Sequence, residues 1–237
     1  MKRILKIFEL LFLSSLLFVL LSFTIKNENT AKKNLNLIQI NHTQNSFVDE
    51  KKVLEILSNK GLYYDNQEVF DVESMEYNIK NQPHIKDVQV FLNLDGAIDV
   101  IIEERDPLVR ILKSEASYYL DEDCLLMPLS ETYTSRKLIV SGDVEKYNME
   151  DICELSKIIE SNEFMRPLIS QIHFENNDVL LIPKIKNQKI NIGDIEDLEI
   201  KFDNLICFYD KIIKYKGWDY YNIINLKYKD QIICSKK

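Results

Sequence analysis

The sequence predicts an α+β chain in three parts: a cytoplasmic tip and transmembrane helix over 1–25, a compact strand–helix–helix–strand–strand unit over 35–107, and a mainly β domain with flanking helices over 108–237. Three observations carry this reading. The run from Ile4 to Ile25 is almost wholly apolar; residues 81–110 read as a proline-stopped helix followed by a hairpin; and the second half alternates short strand patterns with two amphipathic helical stretches.

Between Ile4 and Ile25 only Lys6, Glu9, three serines and Thr24 interrupt the apolar run, and as a helix it reaches about 33 Å, enough to cross a bilayer. Lys6 and Glu9 lie near one end, where long side chains reach the headgroups. A cleaved signal peptide is the competing reading, but the exit through Ser22-Phe23-Thr24-Ile25-Lys26 lacks a small-residue cleavage site. Three basic residues and no acid in Met1–Lys6 favour a cytoplasmic N-terminus, although Lys26, Lys32 and Lys33 reduce the asymmetry.

Leu35 to Ile40 is expected as a short strand. Ser46 and Asp49 resemble the start of a helix with Val53, Ile56 and Leu57 on one face and Gly61 at its end. A second helix over 71–81 places Val72, Met75 and Ile79 three and four residues apart. Pro83 cannot donate a helical hydrogen bond and biases Gln82 away from the helical region, so this helix must stop near Asn81. Val88, Val90 and Leu92, then Ile98, Val100 and Ile102, alternate with their neighbours about Asp95-Gly96, a pair that tolerates hairpin turns.

Farther on, Ser117–Leu120 and Leu125–Met127 flank Asp121-Glu122-Asp123, which reads as a solvated hairpin tip, and Lys137–Val140 adds a strand. Met149–Ser161 is a helix with Ile152, Leu155 and Ile159 on one face. Ile169–Glu175 and Asp178–Ile185 form a hairpin about Asn176-Asn177, and Lys189–Ile192 a further strand. Leu198–Tyr215 aligns Phe202, Leu205, Ile206, Tyr209, Ile212 and Ile213 on a core-facing stripe, with Gly217 as its stop. Tyr221–Cys234 closes the chain as strand.

The first 25 residues carry Lys2, Arg3, Lys6 and Glu9, a net of plus 2, so the total of minus 8 leaves minus 10 on residues 26–237. Such an acidic ectodomain argues against nucleic acid as a partner. Cys124, Cys153, Cys207 and Cys234 are far apart with no CxxC, and read as buried thiols, with no pair identifiable. GxSxG, HExxH, P-loop and GxGxxG motifs are absent, and His42, His84 and His173 are scattered. Glu103 and Glu104, adjacent on a strand, point to opposite faces. The residues therefore suggest no catalytic group, metal, cofactor or small-molecule substrate.

The anchor, the β-α-α-β-β order, the run Asn81, Pro83, Ile85, Val88, Val90, the Asp-Gly hairpin and the exit Glu104-Arg105-x-Pro107 resemble the POTRA domain of the bacterial FtsQ/DivIB cell division family. Ser117-Tyr118-Tyr119-Leu120-Asp121, Met127-Pro128-Leu129-Ser130 and Leu138-Ile139-Val140-Ser141-Gly142 are similar to the start of that family's β domain. Ile190-x-Ile192-Gly193-Asp194, Lys201-Phe202-x-x-Leu205 and Trp218-x-Tyr220 through Ile223, Leu226 and Tyr228 are similar to its close.

The resemblance implies a β domain with a curved antiparallel sheet, and a non-enzymatic scaffold of the divisome. It implies a single-pass inner-membrane protein with a periplasmic ectodomain, enriched at the division septum. In that family the last strand of the β domain docks the small anchored coiled-coil partners FtsB and FtsL, which implies partner-binding residues at Lys227, Tyr228, Asp230, Gln231, Ile232, Ile233 and Cys234. Tyr228 fits either a partner contact or an interior strand aromatic, and Lys236 stands where some members carry tryptophan. Two other readings compete: a POTRA-containing export or chaperone module, and an anchored envelope hydrolase with dispersed catalytic groups.

Overall fold

The computed structural model describes residues 12–19, 38–42, 47–59, 61–64, 67–93, 98–113, 116–185, 188–218, 220–229 and 231–236. The expected membrane span lies outside them except for 12–19, which are helical with exposed side chains. Among the described residues no helix is long and apolar enough to cross a membrane. The chain divides into two compact units, Met1–Glu104 and Arg105–Lys237.

The first unit contains β1 (Ile38–His42), α1 (Glu50–Asn59), β2 (Gly61–Tyr64), β3 (Gln67–Phe70), α2 (Val72–Lys80), β4 (Ile85–Leu92) and β5 (Ile98–Glu104). β5 is central, parallel to β1 and antiparallel to β4. α2 starts where the Asp71 carboxylate accepts the Ser74 N–H at 3.0 Å, satisfying a donor that the first helical turn leaves unpaired. Val53, Leu57, Met75 and Ile79 from the helices meet Val88, Val90, Ile98, Val100 and Ile102 in one buried cluster. Strand alternation extends to the end of β5: Glu103 is exposed and pairs with Lys86 at 2.9 Å, while Glu104 is buried and accepts the Phe47 N–H at 3.0 Å.

Three expectations shift here. The first strand lies at 38–42, and Leu92, at the hairpin end, is exposed. The expected direct passage from helix to helix is corrected by the antiparallel β2–β3 pair, whose tetrapeptides flank Asp65-Asn66, turn-favouring residue types. The 95–96 turn lies outside the described residues.

The second unit holds β6 (Pro107–Ile111), β7 (Tyr118–Asp121), β8 (Leu126–Pro128), β9 (Leu138–Gly142), α3 (Met149–Ser161), α4 (Met165–Leu168), β10 (Ile169–Glu175), β11 (Asp178–Pro183), β12 (Lys189–Gly193), α5 (Leu198–Phe208), β13 (Tyr221–Asn225) and β14 (Ile233–Lys236). All nine strands form one sheet in the order β14-β13-β12-β11-β10-β9-β6-β7-β8. The expected antiparallel sheet is corrected to a mixed one, with β6 parallel to β9, β9 to β10 and β12 to β13. Parallel neighbours require crossovers; α3 with α4 supplies one and α5 another. Val109, Ile111, Val140, Ile172, Leu181, Ile190 and Ile224 from the sheet join Ile152, Leu155, Ile159, Phe202 and Leu205 from the helices in a single core.

α5 passes into a π-helical turn over Tyr209–Ile213 and ends at Lys214–Lys216, where the Gly217 N–H reaches the Ile213 carbonyl at 2.8 Å. The wider turn carries Ile212 outward, so it is exposed while Tyr209 and Ile213 stay buried. Ile206 is half-buried. In the acidic turn, Asp121 is buried rather than solvated: its carboxylate accepts the N–H groups of Asp123 and Leu125 and lies 3.3 Å from Arg105. The cysteine reading is also corrected. Cys124 and Cys153 form a disulfide, and Cys207 is exposed; a pair 29 residues apart is brought together only by the fold.

Candidate functional site at the C-terminal sheet edge

Tyr221–Cys234, expected as one closing strand, is split: β13 ends at Asn225 and β14 begins at Ile233. At the end of β13 the Leu226 side chain is buried and its N–H completes the pairing with β12 by reaching the Asn191 carbonyl at 2.7 Å, after which the chain leaves the sheet. Lys227, Tyr228, Gln231 and Ile232 therefore lie in the connection, and Asp230 lies outside the described residues. Lys227, Tyr228 and Gln231 are exposed, whereas Ile232 is half-buried against the core. Within β14 itself, Ile233 is exposed and Cys234 half-buried, with burial pushing the Cys234 thiol pKa up. The strand continues through Ser235 and Lys236, which the sequence reading left out.

Two polar clusters fasten the two ends of β13, one to Asp178 at the start of β11 and one to Gln188, the residue before β12. At one end the Lys227 ammonium lies 2.7 Å from Asp178, whose other oxygen accepts from Asn191 at 3.0 Å. The Asn191 side chain also accepts the Gly193 N–H at 2.7 Å, and Asn225 accepts the Lys227 N–H at 2.9 Å. Hydrogen bonding from Asn191 and then Lys227 holds the Asp178 carboxyl below its ordinary value, and Asp178 in turn raises Lys227. At the other end, buried Gln188 donates to the carbonyls of Trp218 and Tyr221 at 3.2 and 3.1 Å and accepts from the Tyr209 hydroxyl. Burial drives the Tyr209 pKa up, so this hydroxyl remains a donor.

β14 pairs with β13 on one side and stands at the end of the sheet. Its outer N–H and C=O groups are a template for an added strand. Exposed Ile233 supplies an apolar contact on that strand, while exposed Tyr228 and Ile223 lie on the neighbouring chain.

Other arrangements in this unit point less clearly to chemistry. Ser141 Oγ and His173 Nδ1 are 2.8 Å apart, with Gln171 donating to the same hydroxyl at 2.6 Å. Among the described residues no carboxylate hydrogen-bonds to His173, so the orienting acid of a triad is missing from this contact. A cleft of about 920 Å³ between Leu112, Tyr118 and Gly142 is lined by charges that satisfy each other, Lys113 with Glu145 at 3.2 Å and Lys146 with Asp143 at 2.5 Å. No group of three His, Cys, Asp or Glu among the described residues is placed to hold a metal ion.

Comparison with known proteins gives concordant results for both units. A family model described as FtsQ/DivIB, C-terminal related, matches residues 106–235, more than half of the chain, and a POTRA-like domain model matches 33–103. The cell division protein DivIB of Clostridium tetani is 27% identical over 166 residues, covering 64% of this chain and 60% of that protein. The chain thus spans somewhat under two thirds of that relative's length. DivIB of Clostridium acetobutylicum is 23% identical over 198 residues, covering 77% of this chain and 78% of that protein. A solved extracytoplasmic domain of the division protein DivIB from Geobacillus stearothermophilus covers 47% of this chain and 96% of that chain at 12% identity, with a TM-score of 0.33, too low to bear on the fold. With a POTRA-like unit followed by a matching C-terminal unit, the chain belongs to the FtsQ/DivIB family.

Proposed function

We propose that this chain is a membrane-anchored, non-enzymatic scaffold of the bacterial division machinery that docks FtsB/FtsL-like division proteins by strand addition at β14. The observation that carries the docking is the position of β14 as a terminal strand whose outer edge pairs with no other strand among the described residues. Membership of a family of cell division proteins supplies the process. The proposed layout is a cytoplasmic tip and anchor over 1–25, a POTRA domain over 35–107 and a partner-binding domain over 108–237.

The topology has two supports. The apolar run from Ile4 to Ile25 is long enough to span a bilayer. The Cys124–Cys153 disulfide suits an oxidising compartment outside the cytosol. On this reading the protein sits in the inner membrane at the septum, with both compact units on the outer side. Lys227, Tyr228, Asp230, Gln231, Ile232, Ile233 and Cys234 remain the proposed contact region, extended by Ser235 and Lys236.

The test combines hydrogen exchange with one substitution. Full-length protein mixed with the FtsB/FtsL-like pair of its own organism should show new protection of the 233–236 amides. Cys234→Pro removes an N–H that faces away from β13, since Ile233 and Ser235 are the residues of β14 whose backbone groups turn toward it, and proline with that orientation is tolerated in an edge strand; it should abolish co-purification. Binding without protection at 233–236, or undiminished by the proline, would refute strand addition. Depletion should give filamentous cells with unclosed septa, and normal division would refute the wider role.

A further inference from the structure

β4 ends the three-stranded sheet of the first unit and pairs on one side, with β5. The backbone groups of such a strand alternate between its two sides. The Val90 N–H is donated to Oε1 of Glu76 on α2 at 2.8 Å, so it points away from β5, and the alternation turns Val88 and Leu92 the same way. A second carboxylate stands on this outer side. Asp87 holds the Lys80 ammonium at 2.8 Å, and Lys80, then the Val88 N–H, keep its carboxyl below the ordinary value. Two of the three outward N–H groups thus meet carboxylates, and α2 fixes both, Glu76 directly and Asp87 through Lys80. An oxygen at 2.8 Å from Val90 occupies the place that the carbonyl of an added strand would take. A carboxylate accepts but cannot donate, so Glu76 offers nothing to the outward carbonyls beside it.

The strand that the carboxylates shield is well suited to pairing. β4 runs for 8 residues without glycine or proline, and it ends in two exposed apolar side chains, Phe91 and Leu92. Its sequence also complements itself. In an antiparallel register centred on Val90, Val88 falls opposite Leu92 of a second copy and Gln89 opposite Phe91. Every outward residue then faces another outward residue, so donors and acceptors match about a two-fold axis. The same register covers Phe91 with Gln89 and Leu92 with Val88, which gives the exposed end of the strand an apolar neighbour.

We propose that Glu76 is a latch that holds β4 shut against antiparallel pairing with β4 of a second copy of this chain, and that releasing it makes the first unit a self-association surface. The latch works by competition: the Val90 N–H has one acceptor within its own unit and gives it up only when a second strand supplies another. This inference concerns a different sheet from β14 and does not depend on strand addition there.

The test compares the full chain with Glu76→Ala and Glu76→Gln in detergent micelles, reading hydrogen exchange at Val90 and mass by sedimentation over a range of protein concentrations. At low concentration Glu76→Ala is expected to speed Val90 exchange about ten-fold or more. As concentration rises, protection should return together with a mass of two copies. Glu76→Gln removes the same charge but keeps an oxygen for the Val90 N–H, so it should retain the exchange and mass of the parent. Protection of the β5 amides reports that the unit is folded. If Glu76→Ala loses that protection, Glu76→Asp, whose carboxylate is one methylene short of the N–H, takes its place. Parental exchange and mass in the latch-free chain would overturn the proposal. So would fast exchange at every concentration with parental mass, which describes an open edge that accepts no copy. Protection that returns only on adding the FtsB/FtsL-like pair would assign the edge to a foreign strand, and the proposal fails.

Discussion

The Lys227 ammonium lies 2.7 Å from Asp178 across 49 residues of sequence, joining the connection after β13 to the first residue of β11. Asp178 is held below its ordinary carboxylate pKa by Asn191 and Lys227. A depressed folded-state value contributes stability that is present above the unfolded value, about 3.9, and is lost as pH falls through the folded one. Asp178→Asn should therefore cost about 1 kcal/mol or less at neutral pH, and the difference from the parent should vanish in acid below the folded value. Denaturant unfolding of both proteins across the acid range measures this directly.

Two glycines should respond to alanine by different amounts. Gly193 has φ +70° and a Cβ there meets Lys227 Cγ at 2.9 Å, whereas Gly142 has φ +87° and its Cβ meets the Phe174 carbonyl oxygen at 2.1 Å. A lysine stem can move and a strand backbone cannot. Gly193→Ala should cost about 1–2 kcal/mol, close to the left-handed penalty alone, and Gly142→Ala distinctly more. Adding Lys227→Ala to Gly193→Ala should recover only the contact part, as a double-mutant cycle will read.

Gln188→Met should cost about 3 kcal/mol, because it leaves the Tyr209 hydroxyl and the carbonyls of Trp218 and Tyr221 without their partner in a buried site. Tyr209→Phe in the same background should restore part of that loss. Hydrogen exchange at 221–225 should rise in Gln188→Met even where the remainder of the sheet is unchanged.

Removing the Cys124–Cys153 cross-link with paired serines should lower stability by about 3 kcal/mol, as for a closed loop of this size. Thiol reductant should shift the thermal midpoint of the parent and leave the serine variant unmoved. Equal sensitivity in both would show that the bond contributes nothing.

The elements legible in the sequence are those specified by local pattern. The β4–β5 hairpin follows from alternation because one face of it is buried: Val88, Val90, Ile98, Val100 and Ile102 all point inward. α2 follows from Asp71 and Pro83 at its ends, and α3 spans the expected 149–161. Non-local pairing was not legible. Nothing near β9 in sequence announces that it runs parallel to both β6 and β10, and Cys124 gives no sign of Cys153. Ile212 fits a 3.6-residue stripe and faces solvent because the helix widens before it. At the candidate site, alternation places an edge near the C-terminus but not its start, since Leu226 is apolar and buried while ending its strand. In the first unit Glu76 carries no local signal, as its contact with Val90 depends on how α2 packs beside β4.

The nine-stranded sheet has two ends of unequal character. At the end opposite β14 stands β8, only three residues long and finishing in Pro128, which has no N–H to offer. Short strands and prolines are means by which proteins discourage edge-to-edge growth. Under the strand addition proposed at β14 the sheet would have a valence of one, since a second copy stacking on β8 would find a poor continuation. A scaffold built this way would close its assembly after a single addition rather than propagate a filament.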